Sequence, residues 1–214
     1  MSRGKSTNNL KRRSGNNQPR KNFLIVVEGE ETEYNYFNSL KRELRLPTIK
    51  IEIVSANGGD PLVIVNEAIK LNNNIKFEKV DQVFCVFDDD NKPEKYKQAL
   101  NRAKEYNCTP ITSIPCFEFW FFLHYYYTPS PFGSYNELRP QLEAEMRKAG
   151  ILKQGEKYDK TDKLLYSKLQ PNQEMAINNA MKLENKHPNE DGCTNPSTKV
   201  HHLVQELKNQ KDFK

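Results

Sequence analysis

The stretch from Asn22 to Phe37, N-F-L-I-V-V-E-G-E-E-T-E-Y-N-Y-F, constrains the fold more than any other. Phe23 to Val27 is an apolar, β-branched run too short for a helix, and it reads as a strand buried on both faces of a parallel sheet. The run stops at Glu28 and Gly29. A helical pattern follows, with Tyr34, Phe37, Leu40 and Leu44 recurring at three- and four-residue spacing. A carboxylate at the carboxyl end of a buried strand, followed by a glycine turn into a helix, sits where open α/β sheets bind ligands.

The remaining elements extend this unit. Ile49–Val54 alternates and reads as a second strand. In G-G-D-P, Gly58 and Gly59 permit a turn, Asp60 is placed to cap and Pro61 suits a first helical position. The helix to about Asn72 then faces Leu62, Val65, Ala68 and Ile69 inward. Asp81–Asp90 is a third strand ending on three carboxylates, Pro93–Tyr106 a helix, and Pro110–Ile114 a fourth short strand. The order β-α-β-α-β-α-β predicts an α/β fold with a four-stranded, mainly parallel sheet and flanking helices. Beyond it, the aromatic run Phe117–Tyr127 predicts a buried helix ended by Pro129, Pro131 and Gly133. Helical patterns follow at 135–149, 162–169 and 173–186, then a wet loop. A last helix should be capped by Asn195 or Ser197, with Val200, Leu203, Val204 and Leu207 inward. The expected organisation is a basic tail over 1–21, an α/β core over 22–127, and a C-terminal helical cap over 128–214 packed on the core.

Charge separates the tail from the rest. Residues 1–21 hold seven basic side chains and no acidic one; without them 26 basic residues face 28 acidic ones. The tail is rich in Asn, Ser and Gly and should be disordered alone. Arg12, Arg13, Arg20 and Lys21 suit a grip on nucleic-acid phosphates, and a merely solubilising tail is the alternative. No apolar run approaches the roughly 18–20 residues of a membrane span, and the N-terminus has no secretory apolar segment. Cys85, Cys108, Cys116 and Cys193 have no metal-binding spacing, which suits reduced thiols in a cytoplasm.

The acids carry the chemistry. Strands one and three are normally neighbours in such a sheet, so Glu28 should meet Asp88 and Asp90 at one edge, with Asp89 turned away. Carboxylates that close stay ionised together only with a cation between them. Mg²⁺ or Mn²⁺ is the expected partner, and metal-assisted attack on a phosphodiester the expected reaction. The competing reading is that D-D-D-N only caps the next helix. Glu118, in P-C-F-E-F-W, is a carboxylate in apolar surroundings; it is either a supporting acid of the metal shell or a buried Glu paired with a base such as Lys199. Trp120 and Phe117 read as core. Glu30, Glu31 and Glu33 lie in the first helical turn, where the macrodipole favours acids. Lys160 and Lys199 are candidates for holding the scissile phosphate, and Ser197 and Thr198 sit at a helix N-terminus. Plain capping by Ser197 and a solvated Lys160 are the alternatives. His124 reads as core. His201 and His202 are adjacent, so they are expected to diverge and not to pair as metal ligands. No G-x-x-x-x-G-K-[ST] occurs, so any ATPase activity must come from a partner.

Taken together, E-G-E-x-T-E-x-x-Y-F, G-G-D-P, the F-D-x-D strand end, P-C-F-E-x-W and the final N-P-S-T-K-V-H-H-L-V resemble the RloB-like family, in order over about residues 22–209. That resemblance implies a Toprim-like fold and proteins encoded near bacterial restriction loci. It maps a metal-binding glutamate onto Glu28 and a D-x-D pair onto Asp88 and Asp90. Related Toprim effectors in phage defence are nucleases, often working with an ABC-type ATPase. The expectation is thus a Mg²⁺-dependent nuclease acting on DNA or RNA, with Glu28 as metal ligand or general base. The alternatives are a non-catalytic, metal-binding regulatory or nucleic-acid-binding subunit of such an ATPase complex, and an enzyme acting on a nucleotide or phosphate monoester.

Overall fold

The computed structural model describes residues 21–29, 31–46, 48–53, 60–74, 80–89, 92–186 and 194–211. In chain order the elements are β1 (Phe23–Val27), α1 (Thr32–Leu44), β2 (Ile49–Ile53), α2 (Pro61–Asn72), β3 (Gln82–Asp88), α3 (Pro93–Glu105) and β4 (Cys108–Ile114). There follow α4 (Glu118–Phe122), α5 (Tyr135–Lys148), α6 (Leu165–Leu169), α7 (Gln173–Lys186), β5 (Ser197–Thr198) and α8 (Val200–Lys211). None of the described helices is long and apolar enough to cross a membrane.

The sheet runs β2-β1-β3-β4-β5, and its first four strands are parallel. Period-two alternation sends each strand's side chains to two cores. Leu24, Val26, Cys85 and Phe87 meet Ile64, Val65 and Ala68 of α2 and Tyr96, Ala99 and Ala103 of α3. Phe23, Ile25, Val27, Phe84, Val86 and Ile111 meet α1, the aromatics of α4 and the helices from α5 to α8. Burial on both sides explains why the strands read as unbroken apolar runs. Among the expected inward residues of α2, Val65 and Ala68 are buried, while Leu62 and Ile69 are only partly so. Asp60 caps α2 as expected, accepting a hydrogen bond from the Leu62 N–H at 3.1 Å, with Pro61 at the first helical position. Gly58 and Gly59 lie outside the described residues.

Two local expectations need correction. The aromatic run is helical only over Glu118–Phe122. After that the His124 and Tyr125 N–H groups bond to carbonyls three residues back, tightening the chain into turns before the prolines. Ser197 is not a helix cap, and the sheet has a fifth strand. Ser197 and Thr198 form β5, antiparallel to β4, with Ser113 opposite Thr198 and Ile114 opposite Ser197. Asn195 is not the cap either, because its side chain holds the Phe132 backbone, accepting from N–H at 3.1 Å and donating to C=O at 2.7 Å. The cap contact falls to Thr198, whose Oγ1 lies 3.3 Å from the Val200 N–H. The Val200, Leu203, Val204 and Leu207 stripe of α8 is buried as its spacing predicts.

The β4–β5 pairing also carries a buried hydroxyl pair, Ser113 Oγ to Thr198 Oγ1 at 2.9 Å. Thr198→Val keeps the volume but strands the Ser113 hydroxyl and removes the cap contact. We expect a loss of about 1–3 kcal/mol in urea unfolding, against less than about 0.5 kcal/mol for a change at exposed Lys211.

Candidate metal and phosphate site

The parallel register sets the site. Val27 pairs with Val86, so Glu28 emerges from β1 beside the end of β3, where Asp88 is the last strand residue. Asp88 Oδ2 accepts a hydrogen bond from the Phe117 N–H at 2.9 Å. That bond fixes the carboxylate and joins the end of β3 to the start of α4, whose first residue is Glu118. Glu118 is buried, with 2% of its surface exposed. Its charge is met from the C-terminal half: Lys160 Nζ lies 3.0 Å from Glu118 Oε1 and 4.2 Å from the centre of the Tyr135 ring. The expected pairing of Glu118 with Lys199 is therefore replaced by pairing with Lys160.

Glu28, Asp88, Glu118, Tyr135 and Lys160 line one cavity of about 660 Å³, together with Glu31, Thr32, Glu33, Cys116, Ser134 and Asn136. Among the described residues, five carboxylates (Glu28, Glu31, Glu33, Asp88, Glu118) line it against the one ammonium of Lys160. The electrostatic result is visible in the neighbouring acids. Burial, and then the charges of Glu118 and Glu28, raise the Glu33 carboxyl from 4.5 to about 7. Burial followed by Glu118 and Asp88 pushes the Cys116 thiol well up. The Tyr135 and Tyr158 phenols are raised by burial and then by Glu118. For Lys160, burial works against the ammonium, but Glu118 outweighs it and the pKa rises. Glu33, Cys116, Tyr135 and Tyr158 retain their protons first because burial penalises their charged forms and then because neighbouring carboxylates add to that.

Such a donor set fits a hard divalent cation, which takes a few carboxylate oxygens and keeps its waters. Glu28, Glu33 and Asp88 line the cavity at the open end of the sheet. Of the expected residues, the fold brings Glu28, Asp88, Glu118 and Lys160 together. Asp90, Arg12, Arg13 and Arg20 lie outside the described residues. Lys21 precedes β1, at the strand end away from Glu28, where it contacts Glu206 at 3.5 Å. Ser197 sits in β5 and Lys199 pairs with Glu184; neither lines the cavity.

Sequence reasoning assigned Glu33 to helix stabilisation, although its place five residues after Glu28, across one turn, was the available signal. It also misjudged the histidine pair. His201 and His202 converge, their Nε2 atoms lying 3.0 and 2.9 Å from Glu184 Oε2. At the first turn of α8 a 100° step still lets two long rings reach one acceptor. His124 and Trp120 are core as read: both are fully buried, and His124 Nδ1 lies 2.9 Å from the Trp120 carbonyl.

A carboxyl whose folded pKa lies above its unfolded value binds more protons in the folded state between the two. Metal-free protein should therefore lose stability as pH rises from 4.5 toward about 7. Glu33→Gln should flatten that slope and add about 1–3 kcal/mol above pH 7, read by denaturant unfolding in EDTA across pH 5–8.

No curated protein and no solved structure matches the chain. A family model, described as RloB-like protein, matches residues 23–207, and the chain belongs to that family.

Proposed function

We propose that this chain is a Mg²⁺- or Mn²⁺-dependent hydrolase of phosphodiester bonds, a Toprim-like nuclease acting as an effector in bacterial phage defence. The observation that carries the reading is the convergence of Glu28, Glu33, Asp88 and Glu118 on one cavity with Lys160 at its wall. A divalent cation bound there supplies a Lewis acid for the phosphate and a more acidic water. Glu28 and Asp88 would hold it, and Glu28 would take a proton from the attacking water. Asp90, one position removed from Asp88 in alternation, belongs to the same proposed set. Glu33 gives up the proton it retains in the metal-free pocket. Glu118 positions Lys160, and the ammonium is the group for a phosphoryl oxygen. DNA or RNA is the proposed substrate, with the basic residues Arg12, Arg13, Arg20 and Lys21 as phosphate contacts outside the pocket. The defence role and an ABC-type ATPase partner rest on family resemblance alone, together with the missing phosphate-binding loop.

One observation favours the second reading, a metal-binding regulatory subunit. Lys160 already sits on Glu118, so part of the pocket's charge is neutralised from within.

The test is metal-dependent cleavage of labelled DNA and RNA, with and without a co-encoded ATPase, beside calorimetric Mg²⁺ and Mn²⁺ binding. Asp88→Ala should lose both cation binding and at least about 100-fold in cleavage. Lys160→Met should lose about 10²–10³-fold in cleavage yet bind the cation as tightly as the wild type or tighter, because a competing charge is gone. Cation binding without cleavage under any condition would move the reading to the regulatory subunit.

A further inference from the structure

A second convergence of ligand-type side chains lies away from the acidic pocket, where α7 meets the first turn of α8. Glu184 projects from α7 between two imidazoles. His201 Nε2 and His202 Nε2 stand 3.0 and 2.9 Å from its Oε2, and the two rings are 4.0 Å apart at their centres. The Lys199 ammonium contacts the other oxygen, Oε1. We infer that Glu184, His201 and His202 form a binding site for a borderline divalent metal of the Zn²⁺ type, through the two Nε2 atoms and Oε2.

The donor set decides the class of metal. Two imidazoles and one carboxylate suit Zn²⁺ and its late first-row neighbours, whereas Mg²⁺ prefers an all-oxygen shell. The spacing fits as well. Metal–ligand bonds of about 2.0–2.1 Å at tetrahedral angles place ligand atoms about 3.3 Å apart. The two Nε2–Oε2 separations therefore need to open by only a few tenths of an ångström, and the three ligand atoms all lie within 4.8 Å of one another. His201 is fully buried, which fixes its ring against Glu184. The His202 side chain is 51% exposed, so a metal can enter from solvent and keep a water in its fourth position.

The competing arrangement is the bare hydrogen-bonded cluster, each Nε2–H donating to Glu184. His201 Nδ1 is buried without a hydrogen-bond partner among the described residues; ligation through Nε2 puts the ring proton there, so this nitrogen opposes the metal unless a water reaches it. Lys199 also opposes the metal, since its charge already occupies the carboxylate. It does so on Oε1, which His202 Nε2 also approaches at 3.1 Å, so Oε2 is the oxygen common to both imidazoles. A metal here would staple α7 to α8 directly after β5, and so hold the edge strand on the sheet. The site is independent of the proposed phosphodiester chemistry.

The experiment uses the full chain, stripped with EDTA, dialysed, and titrated with Zn²⁺ in an excess of Mg²⁺ that occupies the oxygen pocket. The expected result is one Zn²⁺ per chain and a rise of several degrees in Tm at a hundredfold excess over Kd. Glu184→Gln and His202→Ala should each weaken binding at least tenfold, and Lys199→Met should tighten it about tenfold. Co²⁺ in place of Zn²⁺ should give visible absorption that is lost in His202→Ala. Because His202 is solvent-facing, its variant should match the wild-type Tm in EDTA, which separates metal loss from misfolding. Zn²⁺ uptake that is equal in wild type and His202→Ala, or absent from the wild type, would overturn the assignment.

Discussion

Crowding of carboxylates into one partly buried pocket sets the carboxyl edge of this sheet, and several parts of the architecture contain its cost. One answer is the Phe117 N–H held to Asp88 at 2.9 Å. A second is the Lys160 ammonium placed against buried Glu118. The third is a proton, since Glu33 is pushed to about 7 and carries one for much of the time near neutral pH. A fold does not assemble so many like charges for stability, because apolar residues of similar volume would serve it better. The proposed cation would answer the same repulsion.

The C-terminal half completes the pocket. Tyr135 opens α5 and Lys160 sits in the loop before α6, and both reach the pocket over α4. The aromatic cluster beneath them is dense: Tyr36 packs edge-on against Phe117, Trp120 and Tyr166, joining α1 to α4 and α6. Such T-shaped contacts each add about 0.5–1.5 kcal/mol beyond burial and fix ring positions. They hold the start of α4, and with it Glu118, in a defined place. The chain then returns to the sheet through β5, so the edge of β4 is partly covered.

Much of this was legible because it rests on local pattern. The apolar runs at 23–27 and 83–87 read as buried strands, and a parallel sheet then forced Glu28 and Asp88 to one edge. The α8 stripe at 200, 203, 204 and 207 was equally plain. What escaped were long-range pairings. Lys160 and Lys199 looked alike as lysines near helix starts, and only the packing of the C-terminal segment sends one to Glu118 and the other to Glu184. Two-residue β5 is too short to leave a periodic signal. His201 and His202 were judged by the angular step of an ideal helix, whereas their ring length and Glu184 on a different helix decide where their nitrogens lie. Glu33 was read from its helix position, which says nothing about the acids facing it from α4 and β1.

The central claim is that the acidic pocket binds a divalent cation between the ends of β1 and β3. Anomalous diffraction from crystals grown with Mn²⁺ tests it directly. The account predicts a manganese peak within ligand distance of Glu28 and Asp88, at about 2.0–2.3 Å, with Lys160 remaining at the pocket wall. A pocket without manganese at millimolar concentration, or a peak confined to other parts of the chain, would contradict it.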